Sequence, residues 1–227
     1  MSETRILIVS AGVSEHSSTT MLAERVGREV VKALQREGMQ PSLKMVELRG
    51  LAGELGAAMA TGIVGEELQA ALDQVTQADG LIAATPVYKA SYSGMFKAFF
   101  DMLDEDALIL TPTILAATAG TPRHSLVPDD LMRPLFAFMR ALAVPTSVFA
   151  ATEDWSTSSL TARAQRAAEE FAPLVTTDTR KKARESSSQA YDRTYVVGEG
   201  APEDPTTGLN FGSDLMKLAA GGKSPRK

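Results

Sequence analysis

The stretch "GLIAATPVYKASYSGMFKAFFDML", Gly80 to Leu103, decides the fold. Gly80 to Thr85 is a short, mostly apolar run closed by Pro86, as expected of a strand buried on both faces of a parallel sheet. Ser93 to Leu103 follows as a helix apolar nearly all the way round, since Met95, Phe96, Phe99, Phe100, Met102 and Leu103 cannot all face one sheet. Between these two buried elements lie Tyr88, Lys89, Ser91, Tyr92 and Ser93. A connection that polar and aromatic is poorly explained by packing, and it marks a surface meant for a ligand.

The same alternation extends in both directions. Arg5 to Ser10, "RILIVS", is a buried first strand; Leu22, Val26, Val30 and Leu34 recur at helical spacing, and Gly38 is a stop signal. Ser42 to Leu48 reads as a more peripheral strand and Glu66 to Gln77 as a helix. Beyond the opening stretch come a strand over Pro112 to Thr118, a helix over Leu126 to Leu142, a strand over Thr146 to Ala151 and a helix over Ser158 to Phe171. Five βα units in this order predict an α/β protein with a doubly wound parallel sheet and right-handed crossovers.

Composition excludes several functions. The 227 residues, 44% of them apolar, suffice for one sizeable core plus an appendage. A net charge of −5 opposes nucleic-acid binding, which needs clustered Lys and Arg. The absence of cysteine removes disulfides, thiolate metal sites and cysteine nucleophiles. No segment reaches the roughly 18 apolar residues of a membrane span, and the amino terminus is too polar for a signal peptide. A soluble, cytoplasmic protein is expected. Residues 1–174 form the expected domain, with net charge −7, and 175–227 a C-terminal extension of net charge +2 and low apolar content. A short amphipathic helix is expected near 213–220, from Ser213 as N-cap to Gly221 as stop.

In a doubly wound sheet, ligands bind beyond the carboxyl ends of the strands where the winding reverses. The loop after the first strand, "SAGVSEHSSTTML", carries four consecutive hydroxyl residues, Ser17 to Thr20, immediately before the helix. Free amides, the positive end of the helix dipole and hydroxyl donors make an anion site there, although one of these residues would serve as an ordinary cap. The loop has neither the Gly-Lys-Ser/Thr ending of a nucleoside triphosphate loop nor three spaced glycines. A flavin monophosphate suits it better. Pro86, Val87, Tyr88, Ala90, Tyr92 and Ser93 can supply the flat slot that a flavin ring needs.

Together, "QADGLIAATPVYKASYSGMFKAFFDML", the hydroxyl-rich loop and "ATAGTPRH" resemble the NADPH-dependent FMN reductase family, over roughly residues 5 to 172. Within it the likeness is to the reductases that serve alkanesulfonate and luciferase-like monooxygenases. The resemblance implies a flavodoxin-like five-stranded sheet of order 2-1-3-4-5, and reduction of FMN by NADPH or NADH. It implies that Ser10, Ser17, Ser18 and Thr19 hold the phosphate, that Pro86, Val87, Tyr88, Lys89, Ala90 and Ser91 wrap the ring, and that Thr118, Ala119, Gly120 and Thr121 close its other edge. The second apolar face of the Ser93 to Leu103 helix predicts a homodimer or homotetramer packed through that helix and the helix after the fourth strand, as the resemblance also implies, and a flavin-dependent monooxygenase partner is implied as well. The C-terminal extension, expected to be of low order, resembles tails in a subgroup of these reductases and would either dock on a neighbouring subunit or on that monooxygenase, or serve as a disordered solubilising tail. The chain departs from the family pattern at Gly12 and His16, where relatives place arginines, and at Asp130, where the alkanesulfonate-system relatives carry a tyrosine.

Single residues keep alternative readings. His16 fits a phosphate ligand, a contact to the 2′-phosphate of the nicotinamide nucleotide, or an exposed loop residue. Arg123 and His124 suit a dinucleotide phosphate or the capping of the next helix. Lys89 suits the flavin edge or a subunit interface. Asp101, Asp104, Glu105 and Asp106 read as a solvated turn rather than a metal site. No general acid or base is expected, because hydride transfer is carried by the cofactors themselves. The competing functions are an FMN-bound quinone or azo reductase and a flavodoxin-type electron carrier.

Overall fold

The computed structural model describes residues 3–182. The expected helix near 213–220 and the rest of the extension beyond 182 lie outside them.

Seven strands form one sheet: β1 (Thr4–Ser10), β2 (Pro41–Glu47), β3 (Gly80–Tyr88), β4 (Ser91–Tyr92), β5 (Pro112–Thr118), β6 (Leu142–Ala143) and β7 (Val148–Ala150). The path runs β2-β1-β3-β5-β6, with β7 also parallel to β5 and β4 antiparallel to β3. With β6 and β7 sharing the place of a fifth strand, this is the expected 2-1-3-4-5 order.

Because successive side chains point to opposite faces, each central strand feeds two cores. Ile6 and Ile8, Ile82 and Ala84, and Ile114 and Ala116 meet α1 (Ser18–Arg36) and α6 (Ser158–Thr176) through Leu22, Val26, Val30, Ala164 and Phe171. Leu7 and Val9, Leu81 and Ala83, and Leu115 and Ala117 face the other way. They meet α2 (Ala52–Thr61), α3 (Glu66–Gln77), α4 (Gly94–Asp101) and α5 (Arg133–Phe138). Gly80 opens β3 because a Cβ there would lie 2.3 Å from the Phe171 ring.

Helix α4 finds its second partner within the chain. Phe96, Phe99 and Phe100 are fully buried, and Phe100 packs edge-on to Phe136 of α5 at a ring distance of 4.9 Å. Met95, Met102 and Leu103 are half-buried on the same cluster.

The helix expected over Leu126 to Leu142 is instead three pieces. A single 3₁₀ turn spans Pro122–His124, a π-helical turn spans Pro128–Met132, and α5 follows. Pro134 has no N–H to return to Asp130, and the Arg133 amide bonds to the Pro128 carbonyl five residues back. The fifth strand is broken in turn. Residues 143–147 are held by Arg133, which donates to the Val144 and Pro145 carbonyls at 2.9 and 3.1 Å, and by Glu170, which accepts from the Thr146 amide at 2.7 Å.

At the carboxyl side, α6 runs past the expected boundary to Thr176, and Arg180 beyond it donates to the carbonyls of Ala78, Thr76 and Ala107.

Candidate functional site

The carboxyl ends of β1, β3 and β5 stand side by side, Ser10 level with Ala84 and Pro86 level with Thr118. Three connections leave from these ends, and together with the strand and helix ends that flank them they contain every residue that the sequence singled out for a cofactor.

In the loop after β1, Ser17 is the N-cap of α1, its Oγ accepting from the Thr20 amide at 3.3 Å. Ser10 Oγ lies 2.9 Å from Thr20 Oγ1 and accepts from the Gly12 amide at 3.3 Å. Thr19 Oγ1 meets Thr118 Oγ1 at 2.7 Å, fastening the start of α1 to the end of β5. Ser10, Ser17 and Thr19 are thus buried and bonded inward, whereas Ser18 and His16 are exposed. The first intrahelical bond is Met21 N–H to Ser17 C=O, so the Ser18 and Thr19 amides precede the helical ladder. No acidic residue stands in this first turn, and the positive end of the helix dipole is uncompensated by its own residues.

In the second loop, β3 continues beyond Pro86 into a hairpin. Val87 pairs with Tyr92 and Tyr88 with Ser91, across a two-residue turn of Lys89 and Ala90. Both turn residues are left-handed, at φ 50° and 64°. That is the conformation of a type I′ turn, normally filled by Asn-Gly. The hairpin is anchored at its base: the Ser93 amide donates to Thr85 Oγ1 at 3.0 Å, and Ser93 Oγ caps α4 by accepting from the Phe96 amide at 3.2 Å. Tyr88, Lys89 and Ala90 are exposed, Pro86, Val87, Ser91 and Tyr92 half-buried. The polar turn between two buried elements is therefore a projecting ledge. Thr85 carries no signal of this role in the sequence, where it reads as an ordinary strand residue.

Across from the ledge, Thr118 is buried, and the Ala119 amide donates to the Ala150 carbonyl at 3.1 Å. Gly120 accepts at 3.4 Å from Thr152 Oγ1, and Gly120 and Thr121 are exposed ahead of the turn bearing Arg123 and His124. Thr20, bonded to Ser10, belongs to the first loop without having been singled out as a ligand residue. It stood within the hydroxyl run.

The donor set suits FMN. Amides that precede the helical ladder and the exposed Ser18 hydroxyl at a helix start suit a phosphate, and the ledge and the Gly120 loop leave adjacent strands. Among the described residues no cluster of His, Asp or Glu could hold a metal ion, and no helix is long and apolar enough to cross a membrane. Asp101 pairs with Lys97, leaving Asp104 and Glu105 exposed as in a solvated turn. A cavity of about 600 Å³ lies at the other end of the strands, between Arg5, Asp79, Pro112 and Asp178. It has no access to the three loops.

The strand order, with a helix start and two loops gathered at the switch point, defines a flavodoxin-like α/β protein. Residues 4–156 match the family model described as NADPH-dependent FMN reductase. The chain is 40% identical over 175 residues to an FMN reductase (NADPH) of Pseudomonas aeruginosa, covering 75% of this chain and 91% of that one. It is 39% identical to the NADH-dependent FMN reductase SfnE of Pseudomonas putida, over 74% of this chain and 91% of the relative. A solved oxidoreductase from Corynebacterium diphtheriae superposes at a TM-score of 0.75 with 44% identity, covering 77% of this chain and 98% of that structure. The chain belongs to the NADPH-dependent FMN reductase family, and with it to the oxidoreductases that use FMN and NAD(P)H.

Proposed function

We propose that this protein reduces FMN with NADPH or NADH and hands the reduced flavin to a flavin-dependent monooxygenase, as a cytoplasmic homodimer or homotetramer. The observation that carries this reading is the convergence of the α1 start, the Lys89–Ala90 ledge and the Thr118–Thr121 loop on one side of adjacent strands. In it, Ser18 and the Ser18 and Thr19 amides hold the flavin phosphate, with Ser10, Ser17 and Thr19 fixing that loop and His16 at its rim. Pro86 to Ser91 support one side of the ring and Thr118 to Thr121 the other. The chemistry supplied by bound FMN is acceptance of a hydride from the reduced nicotinamide. The chain's own contribution is orientation, and no side chain is needed to move a proton.

Assembly is supported by apolar surface that the single chain leaves uncovered. Phe138 is 80% exposed and Leu126 62%, on the segment that follows β5. Residues 183–227 act as an extension that docks on a neighbouring subunit or on the monooxygenase.

The test is oxidation of NADPH and NADH by the full chain with and without added FMN. Oxidation that rises and saturates with FMN is expected. No oxidation at saturating FMN would overturn the reading, and equal turnover of a quinone would assign the protein to the quinone reductases instead.

A further inference from the structure

We propose that Arg123 selects NADPH over NADH by binding the phosphate monoester on the adenosine ribose. This inference rests on the FMN reductase reading, within which the relatives' own names divide between NADPH and NADH.

Among the described residues Arg5 pairs with Asp79, Arg36 with Glu169, Arg133 with Asp129 and Arg25 with the Trp155 ring, while Arg49 and Arg166, like Arg123, carry no such bond. Arg123 is exposed and makes no hydrogen bond or ion pair among the described residues. Its backbone is nevertheless fixed. It sits on the single turn Pro122–His124, closed by the Ser125 amide bonding to the Pro122 carbonyl at 3.0 Å. The residues just before it are pinned to β7 and its following loop through Ala119 and Gly120.

Capping does not account for this cation. Neither Arg123 nor His124 bonds a helix carbonyl, and the next helical turn only begins at Pro128. A positive charge ahead of that turn faces the positive end of its dipole and is disfavoured there. Nearby carboxylates do not neutralise it either. Asp129 is occupied by Arg133 and Ser147, Asp154 accepts from the Ala151 amide, and the exposed Asp130 and Glu153 lie outside ion-pair distance.

Position selects the ligand group. Nicotinamide must stack on the flavin ring at roughly 3–3.5 Å for hydride transfer, so the rest of the nucleotide crosses a loop bounding the ring. Arg123 stands two residues beyond Thr121 on one of those loops. A guanidinium is the group that grips a phosphate by two parallel hydrogen bonds. Lys89 lies on the β3–β4 ledge rather than on this loop. Arg49 follows β2, on the far side of β1 from β5.

The experiment compares the full-length protein with Arg123→Gln, using Arg166→Gln on the outer face of α6 as control. Two readouts are taken: the ratio of kcat/KM for NADPH to that for NADH, and calorimetric binding of adenosine 2′,5′-bisphosphate against adenosine 5′-monophosphate. Loss of a charged hydrogen-bonding partner should lower the NADPH/NADH ratio by about tenfold or more. It should also abolish the preference for the bisphosphate, while Arg166→Gln changes neither. An unchanged ratio with the bisphosphate still preferred overturns the assignment. Absence of FMN-dependent oxidation of either coenzyme, with bisphosphate binding still dependent on Arg123, would instead overturn the reductase reading and leave the anion site standing.

Discussion

Ser17 and Ser18 are neighbours with opposite environments, Ser17 6% exposed beneath the loop and Ser18 open to solvent. The sequence showed a hydroxyl run suited to a phosphate, but successive helical residues rotate by about 100°, so the run could not all face one ligand. Ser17→Ala removes an N-cap and should cost about 1 kcal/mol of stability, measured by denaturant unfolding. The loop it holds serves flavin with or without phosphate, so FMN and riboflavin should weaken together. Ser18→Ala should leave stability unchanged and weaken FMN by about tenfold relative to riboflavin, the net worth of one hydrogen bond to a charged group. Equal loss of both flavins in a fluorescence titration would remove Ser18 from the phosphate site. Gly12 explains a departure from the family pattern. A Cβ there would stand 2.0 Å from Ser17 Oγ, so an arginine at this position requires a differently closed loop.

At the scale of elements, the ledge between β3 and β4 is the least consistent with local preference. Lys89 and Ala90 both hold left-handed backbone, at roughly 1–2 kcal/mol each for an ordinary L-residue. The hairpin register and the Thr85–Ser93 bonds impose that conformation. Replacing the pair by Asn-Gly should raise unfolding stability by about 1–2 kcal/mol. A fall in the denaturant midpoint would show that the Lys and Ala side chains contribute more than the strain costs. Sequence periodicity placed β1, β2, β5 and α3 within a residue or two, because apolar spacing alone determines them. It stopped β3 at Thr85, since proline ordinarily leaves a ladder, yet Pro86 holds its place opposite Thr118. Helix α2 escaped because Gly53 and Gly56 dilute its pattern and only Leu55 and Ala58 are buried. The segment after β5 was misread as one helix because its apolar spacing is helical, while its prolines forbid a continuous ladder.

Across the whole molecule, the candidate site and the departure point of the C-terminal extension lie at opposite ends of the sheet. The three site loops leave the carboxyl ends of the strands, whereas Arg180 bonds the carbonyls of Thr76 and Ala78, just ahead of the amino end of β3. Flavin reduction and whatever the extension contributes should therefore separate, provided the cut spares the anchor. A cut after Leu174 does not. It ends the chain inside α6 and removes Val175, which is 7% exposed, together with the three carbonyl bonds of Arg180. Losing a buried valine and those bonds should cost several kcal/mol, about 1.5–3 for the valine and about 1.5–3 for a hydrogen bond to a charged group. A cut after Lys182 keeps both. The shorter chain should unfold earlier and lose FMN reduction through instability, whereas the chain ending at Lys182 should keep full reductase turnover. Light scattering and coupled monooxygenase turnover then report on the extension itself: docking predicts that the Lys182 truncation lowers oligomer size or coupling without touching NAD(P)H oxidation. Identical assembly and coupling with residues 183–227 absent would end the docking proposal. Loss of flavin reduction in a chain that still unfolds cooperatively at the normal midpoint would place part of the extension in the active site.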